Sequence, residues 1–558
     1  MNKTTPQFLK EASSEWVKQT FNAMSLDEKI GQLFQVAAFS NKSKEHTNEI
    51  LSLIKECHLG GITFFQGTID AQISLTNLYQ KESKIPLFIN MDAEWGIGMR
   101  LEDGISFPYQ MTLGAIQNNA LIYKYGKYLG SVCKAMGVSS PLAPVVDVNN
   151  NAQNPVINYR SFGADKYNVA EKGVALMQGL QSQKVLDNAK HFPGHGDTSS
   201  DSHLELPVLH HSDQRLREIE LYPFQQLINA GASSIMSAHL QIPVWDNQKN
   251  QPSTLSSKIL NGLLKDELGF EGLIITDAMD MKGITNHYEN GEADALAICG
   301  GNHIITNSKD VRKGIETIKS YLSSGRLDQK VVDEAVLKIL SMKKWVGLDT
   351  ETTISYSAQE HHQDTEGLEL LQELCDHSVT SLLGNEIAPL DAQQKNAFLK
   401  IDIQNETVSI RDEVAHHLKD VSKNNDDVLT SYFVENDCTF FHWKDSDTEE
   451  ELITLLNSLS NYDRVFLGVF GINKKPLNHF DLPEVIRHSL FKNIEAKKLT
   501  YLHLGNAFAL DELQFWQKSD EVLLTYQDLK ELKQSVIKIL NADLKPSGTL
   551  PVVLKSEF

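Results

Sequence analysis

The chain has 558 residues, of which 41% are apolar, and a net charge of −21. Its length exceeds what one hydrophobic core usually serves, so at least two domains are expected. The acidic balance repels nucleic acid and anionic membrane surfaces, which excludes both as general partners. An anionic ligand would therefore need a local cluster of positive side chains.

Cysteine usage and hydropathy bear on disulfides, membrane spans and the cellular compartment. The five cysteines are odd in number and far apart, which indicates buried thiols and neither a disulfide framework nor a zinc knuckle. No run of about 18 apolar residues occurs, so no transmembrane helix is expected. Residues 1–24 are polar and lack the apolar stretch of a secretory signal, which predicts a cytoplasmic protein. The alternative is a periplasmic or secreted protein whose signal peptide has been removed.

Over residues 1–350, short runs of β-branched and aromatic residues alternate with amphipathic segments, as in βα units with a parallel sheet. The eight predicted strands are 32–39, 61–65, 87–92, 138–147, 188–191, 234–239, 273–277 and 303–307. The predicted helices are 44–57, 118–136, 166–183, 213–230 and 257–268. This α/β pattern predicts an N-terminal (β/α)8 barrel of the TIM type, for which about 250 residues before insertions are typical.

A polar, acidic stretch then predicts a linker over residues 351–366. It is followed by a second set of alternating segments that predicts a C-terminal α/β sandwich domain over residues 367–558. Its predicted strands are 398–403, 465–470, 500–504, 522–525 and 550–554, and its predicted helices are 449–459 and 528–540. No ionisable cluster as dense as that of the first domain is visible there, so we expect a structural role.

Ionisable side chains stand at the carboxyl ends of five predicted barrel strands, where barrel enzymes build their active sites. They are Asp92, Asp147, the pair Lys190 and His191, His239, and Asp277. One such residue is as well explained as a cap on the next helix. Five together favour a functional site.

The segment 190–203 begins at the end of the fifth predicted strand and holds three histidines, two carboxylates and a lysine. Pro193 and two glycines exclude a regular helix, so these groups can converge on a small volume. A polar surface loop is the alternative, and metal binding is another. The residues of accepted metal-ligand types are His191, His195, Asp197, Asp201 and His203. Pro193 prevents the helical two-histidine arrangement of zinc hydrolases, and no metal or other cofactor is expected.

Cleavage of a sugar linkage needs a proton donor and, for retention, a carboxylate nucleophile. Asp277 follows an apolar run at a strand end and is the nucleophile candidate, with Asp280 as its rival. His203 with Asp201 is the candidate proton donor, since a neighbouring carboxylate favours the charged imidazole near neutral pH. An Asp-X-His pair in an ordinary surface loop is the alternative.

With Asp201-Ser202-His203 downstream, the segment Lys-His-Phe-Pro-Gly-His-Gly at 190–196 closely resembles the motif of the β-N-acetylglucosaminidases of glycoside hydrolase family 3. The resemblance covers the whole barrel and, more loosely, the second domain. Its further segments are 24–32, 143–148, 159–163, 276–279 and 547–552.

By that resemblance Asp277 is the nucleophile and His203, assisted by Asp201, the acid/base. The resemblance also implies a set of residues that hold the N-acetylglucosamine unit, namely Asp92, Arg100, Arg160, Lys190 and His191. It places Asp147 and His239 at the same mouth of the barrel. His195 and Asp197 are expected to support the loop. Many relatives have Asp-Glu-Gly-Gly-Arg where this chain has Asp-Ala-Glu-Trp-Gly at 92–96, a departure that bears on substrate preference beyond the first sugar.

The resemblance implies a retaining exo-β-N-acetylglucosaminidase, or β-hexosaminidase, without a cofactor. Its expected partners are small carbohydrates, above all peptidoglycan fragments that join N-acetylglucosamine to a muramic unit. Three alternatives stay open: an N-acetylglucosaminidase of chitin oligosaccharides, a β-glucosidase of the same family, and a non-catalytic carbohydrate-binding protein. The glucosidase would take its acid/base carboxylate from the second domain, and the binding protein would require the loss of a catalytic residue.

Overall fold

Two sheets, each flanked by helices, organise the protein. A computed structural model describes residues 3–199, 205–350, 353–384, 387–403 and 427–555. The expected α/β architecture, a TIM-like curled sheet followed by a second sheet domain, is confirmed. The domain boundaries themselves stay a prediction.

The first sheet has seven strands, all parallel, in the order β3-β2-β1-β7-β6-β5-β4. They are β1 (Phe34–Ala38), β2 (Gly61–Phe64), β3 (Phe88–Met91), β4 (Ala189–Phe192), β5 (Ser234–Ser237), β6 (Leu273–Ala278) and β7 (Ile304–Thr306). Each lies within or beside a predicted strand. The sheet interior is apolar because these short, β-branched runs are buried on both faces.

The predicted strand 138–147 is the exception, since it forms isolated backbone pairs instead of a regular strand. Met91 N donates to Ser140 O at 3.1 Å, and Val146 N donates to Lys190 O at 2.8 Å. Two prolines in the segment have no N–H to give and interrupt the ladder. The segment nevertheless links the two edge strands of the curled sheet, so its predicted place in the barrel was right and its predicted regularity wrong.

Helices surround this sheet. They are α1 (Glu15–Ala23), α2 (Leu26–Gly31), α3 (Lys44–Cys57), α4 (Ile69–Glu82), α5 (Gln110–Gly114), α6 (Asn119–Ala135), α7 (Lys166–Ser182), α8 (Asp213–Glu218), α9 (Leu221–Ala230), a π-helix (Lys258–Glu267), α10 (Lys282–Thr285), α11 (Glu292–Gly300), α12 (Val311–Ser323) and α13 (Gln329–Trp345). The single helix predicted over 213–230 is wrong. Pro223 cannot donate to the carbonyl of Ile219, and the chain breaks there into α8 and α9.

The second sheet has the order β10-β9-β11-β12-β13-β8, with β8 antiparallel to β13 and the other pairs parallel. Its strands are β8 (Thr380–Leu383), β9 (Asn396–Asp402), β10 (Thr439–Lys444), β11 (Arg464–Phe470), β12 (Leu499–His503) and β13 (Glu521–Leu524). Its helices are α14 (Ala358–His362), α15 (Thr365–Ser378), α16 (Val428–Glu435), α17 (Glu449–Ser458), α18 (Glu484–Asn493) and α19 (Lys530–Leu540). The predicted strands at 398–403, 465–470, 500–504 and 522–525 are confirmed, whereas β8 and β10 were not predicted.

The predicted strand 550–554 is wrong, because its backbone groups bond to the barrel instead of to a sheet. Thr549 N donates to Ala115 O at 2.9 Å, and Ala164 N donates to Pro551 O at 2.8 Å. A continuous apolar core also runs from the barrel into the second domain through α15. Within the described ranges, no helix is both long and apolar enough to cross a bilayer. All five cysteines are free thiols, four buried and Cys299 half-buried.

Gly163 tests the contact between this terminal segment and the barrel. Its φ is +139°, and a Cβ there would lie 2.2 Å from Pro551 O. We expect Gly163→Ala to destabilise the protein by about 2 kcal/mol or more, through backbone strain and overlap. Thermal and denaturant unfolding provide the measurement.

The matched control is Gly262→Ala on the exposed face of the π-helix, where an added Cβ meets nothing within 4 Å. That change should be neutral or stabilising by up to about 1 kcal/mol. Equal unfolding midpoints for the two variants would contradict the contact.

Candidate active site

The carboxyl ends of β3 and β4 bring several of the predicted site residues into one charged network. Asp92 directly follows β3, and Lys190 and His191 lie in β4. Arg100 follows the short 3-10 helix Ile97–Met99, and Arg160 ends another, Asn158–Arg160. Four separate segments therefore meet at the end of the sheet where the sequence placed the site.

Lys190 is the centre of the network. Its side chain is 2% exposed, and its Nζ lies 2.8 Å from Asp92 Oδ1 and 2.8 Å from Glu94 Oε1. Burial by itself would lower the pKa of Lys190, but the two carboxylates outweigh it and raise the pKa. The ammonium thus remains charged in a place closed to water.

Both carboxylates stay ionised for the same reason. Burial favours the neutral form of Asp92, yet the charges of Lys190 and Arg100 hold its pKa far below the usual range. Burial also opposes the charge of Glu94, while Arg160 and Lys190 lower its pKa to about 2. The network is a set of opposite charges that compensate one another, as buried ions require.

Glu94 was not among the predicted site residues, although it is fully buried and holds Arg160. Arg160 Nε donates to Oε2 at 2.9 Å and Nη2 donates to Oε1 at 2.7 Å, the bidentate geometry of a strong charged pair. A signal was present in the sequence. Glu94 stands two residues after Asp92, and side chains two apart in extended backbone point the same way.

Asp147 orients His191. Its carboxylate is completely buried and accepts from His191 Nδ1 at 2.8 Å and from the backbone N of His195 at 2.6 Å. Burial would raise the pKa of Asp147, but the neighbouring His191 and the hydrogen bonds lower it. His191 Nε2 then faces Arg160 Nη2 at 3.3 Å, an arrangement that suits an imidazole carrying its proton on Nδ1.

His195 and Asp197, which are expected to support the loop after β4, each form a side-chain contact there. Burial lowers the pKa of His195 to about 4, against the opposing charges of Asp147 and Asp277. His195 Nδ1 lies 2.8 Å from Thr198 Oγ1, and Asp197 Oδ2 lies 2.9 Å from Nε2 of His211. In the part of the chain that the structure describes, no three histidine, cysteine, aspartate or glutamate side chains are grouped so that they could hold a metal ion.

Asp277 is the penultimate residue of β6 and is half-buried. Its Oδ1 accepts from Ala278 N at 2.8 Å. In the sheet, β6 is separated from β4 by β5. Buried His239 binds the same strand end, with Nε2 2.9 Å from Ala278 O and Nδ1 2.8 Å from Thr254 Oγ1. The geometry gives His239 a part in holding the strand end that carries Asp277.

Asp201 and His203, the predicted proton-transfer pair, lie outside the described residues. The returning stem of their loop is described. Leu209 N donates to Gln241 O at 3.0 Å, and Gln241 N donates to Pro207 O at 2.9 Å. The described part of the loop after residue 204 therefore lies beside the segment that follows β5. In the sheet, β5 is the neighbour of β6.

Comparison with known proteins assigns the family. The model described as "Glycosyl hydrolase family 3 N terminal domain" matches residues 25–342, which is more than half of the chain. The chain belongs to glycosyl hydrolase family 3. The resemblance seen in the sequence motifs is thereby confirmed, and so is the expected enzyme class of glycoside hydrolase at the level of the family.

Among relatives, the chain is 34% identical over 327 residues to "Beta-hexosaminidase A" of Pseudoalteromonas piscicida, a match over 53% of this chain and 55% of that protein. It thus spans little more than half of that relative's length. It is 27% identical over 413 residues to the "Beta-N-acetylglucosaminidase/beta-glucosidase" of Cellulomonas fimi, covering 72% of both.

A solved family 3 β-N-acetylglucosaminidase from Paenibacillus sp. str. FPU-7 superposes with a TM-score of 0.79 at 26% identity, over 95% of this chain and 99% of that one. The match includes both sheets. The arrangement of the barrel and the second domain is therefore shared with a structure of the same family.

The charge of Glu94 gives a prediction for stability. We expect Glu94→Gln to destabilise the protein by about 3–5 kcal/mol at pH 7, since it leaves Lys190 and Arg160 buried with one carboxylate fewer. Because the folded-state pKa of Glu94 is depressed to about 2, its contribution is complete above pH ~4.5 and is lost as the pH falls towards 2.

Unfolding free energies of both proteins between pH 7 and pH 3 test this. The difference between wild type and Glu94→Gln should shrink below pH ~4.5. Glu289→Gln removes an exposed carboxylate and should leave stability within about 0.5 kcal/mol of the wild type. A Glu94→Gln difference that is small, or constant with pH, would contradict the network.

Proposed function

We propose that the protein is a retaining exo-β-N-acetylglucosaminidase that removes terminal β-linked N-acetylglucosamine. The observation that carries the proposal is the buried network around Lys190 at the ends of β3 and β4, in the same sheet whose strand β6 ends with the half-buried carboxylate of Asp277. The names of the relatives support the choice of sugar, since β-hexosaminidase and β-N-acetylglucosaminidase recur among them.

The network is suited to hold a sugar. Asp92 offers carboxylate oxygens as acceptors, whereas Lys190 and the two arginines offer donors, and hydroxyl groups need both. The side chains of Arg100 and Arg160 are 11% and 15% exposed, so part of each side chain faces the outside of the network. Because the charges already fix one another in place, binding a sugar requires little rearrangement.

In the proposed reaction Asp277 attacks the anomeric carbon while His203, assisted by Asp201, protonates the glycosidic oxygen. The bond to the leaving group breaks as the ester between the sugar and Asp277 forms. His203, now neutral, then takes a proton from water, which attacks the anomeric carbon and releases the sugar and the Asp277 carboxylate. Two displacements at one carbon retain its configuration.

Peptidoglycan fragments that link N-acetylglucosamine to a muramic unit are the proposed natural substrates, with chitin oligosaccharides as the second choice. The muramic unit is anionic, and the chain as a whole would repel it. The two carboxylates of Asp92 and Glu94, however, pair with three cations. These are Lys190, Arg100 and Arg160. These cations are the positive side chains that an acidic sugar would meet at the mouth of an acidic protein.

Substitution of each nucleophile candidate, Asp277 and Asp280, tests the mechanism. We expect Asp277→Asn to lower the hydrolysis of an aryl β-N-acetylglucosaminide at least about a thousandfold with the fold intact, because no covalent intermediate can form. Asp280→Asn, three residues away and exposed, is the matched control and should keep kcat/KM within about threefold. The opposite pattern would move the nucleophile to Asp280.

The same assay distinguishes a β-glucosidase, the activity that is also named for the Cellulomonas fimi relative. Wild-type protein should cleave the aryl N-acetylglucosaminide at least about tenfold better, in kcat/KM, than the aryl glucoside. A preference for the glucoside would instead favour the alternative.

A further inference from the structure

Three polar residues of the second domain reach the barrel beside the proposed sugar site. Lys474 follows β11, Asn506 follows β12, and Gln527 follows β13. All three therefore stand at the carboxyl edge of the second sheet, where an open parallel α/β sheet normally receives its ligand. In this protein barrel segments occupy that place.

Asn506 is the most fully engaged of the three. Its side chain is 1% exposed. Its Nδ2 donates to Asn158 Oδ1 at 2.6 Å and to Lys474 O at 2.7 Å, while its Oδ1 accepts from Phe508 N at 3.0 Å. Both N–H groups and the oxygen are used, so the amide has one orientation and links two second-domain segments to the barrel.

Asn158, the barrel residue that Asn506 contacts, begins the 3-10 helix Asn158–Arg160. Its φ of +32° is unfavourable for a residue with a side chain. Such a backbone persists only where surrounding contacts hold it. Asn158 Nδ2 donates to Ala152 O at 2.9 Å, and Asn149 Nδ2 donates to Asn158 O at 3.0 Å. The bond from Asn506 completes this set of contacts two residues before Arg160.

Gln527 forms a second contact between the second domain and the barrel. Its Oε1 accepts from Tyr109 N at 2.7 Å and from Thr112 Oγ1 at 3.0 Å. The Tyr109 ring packs 4.8 Å from that of Tyr159 and 5.0 Å from that of Trp95. The segment before Arg160 is thus supported from both sides by amides of the second domain.

We propose that Asn506 is a positioning residue for Arg160, so that the second domain sets the shape of the sugar-binding wall without touching the sugar. The inference rests on the proposed function, in which Arg160 binds the substrate. Loss of the Asn506 bond lets the strained turn at Asn158 relax and displaces the backbone of Arg160. Since Asp277 lies on a different strand, substrate affinity should fall while the chemical step is largely kept.

Asn506→Asp tests this, because it keeps the oxygen that accepts from Phe508 N and removes both N–H donors. The KM for the aryl N-acetylglucosaminide should rise about five- to tenfold, with kcat within about twofold of the wild type. Asn506→Ser, which keeps only a short acceptor for Phe508 N, should give the same split and serves where the aspartate variant folds poorly.

Asn396→Asp is the matched control. Asn396 begins β9 at the opposite edge of the same sheet, is buried, and donates from Nδ2 to Asp391 O at 2.8 Å. The same chemical change thus removes the same kind of bond without affecting the barrel. This variant should lower the unfolding midpoint but leave the KM at the wild-type value.

Amide hydrogen exchange of the sugar-free proteins separates this inference from the proposed function. Exchange over residues 156–163 should rise in Asn506→Asp and not in Asn396→Asp. Unchanged exchange there, or a wild-type KM in an active Asn506→Asp enzyme, would overturn the positioning role. Wild-type protein that cleaves no N-acetylglucosaminide would instead contradict the proposed function, and the exchange data would still decide the role of Asn506.

Discussion

The buried ammonium of Lys190 is the constraint on which the site depends. An uncompensated charge in that position would destabilise the fold, so the segment that carries both Asp92 and Glu94 must reach it. Glu94 in turn fixes Arg160, and Arg160 meets His191, which Asp147 orients. Buried ion pairs add little net stability over apolar packing, and here they define which loops lie together.

The second domain acts on the same wall from the other side. Its sheet presents Asn506 and Gln527 to the barrel at the edge where related architectures hold ligands. The terminal segment adds backbone bonds to Ala115 and Ala164. The composition of this domain predicts a structural role, and the contacts of Asn506 and Gln527 give that role a specific target. The second domain supports the turn that carries Arg160.

Much of this architecture could be predicted because the signals are local. Apolar runs bounded by turn residues locate seven barrel strands, and helical spacing gives α3 to the residue. Local signals fail where a proline removes a hydrogen bond, as at Pro223, or where the partner of a backbone group is distant. The terminal segment 550–554 has a strand-like composition, but the barrel takes the hydrogen bond of Pro551 O.

The site shows the same division. Strand-end positions predict Asp92, Lys190 and Asp277. The spacing of Glu94 from Asp92 indicates only a shared direction, and its pairing with Lys190 and Arg160 is visible only in the fold. The link from Asn506 to Asn158 joins residues 348 positions apart. Spacing carries no information about such a pair, because only the packed fold brings the two amides within reach.

The covalent intermediate on Asp277 is the central claim of this account. It can be tested by trapping the enzyme with a fluorinated N-acetylglucosaminide inactivator and locating the added mass by tandem mass spectrometry of the digested protein. We expect one sugar bound through an ester to the side chain of Asp277. A sugar attached to any other residue, Asp280 included, would contradict it.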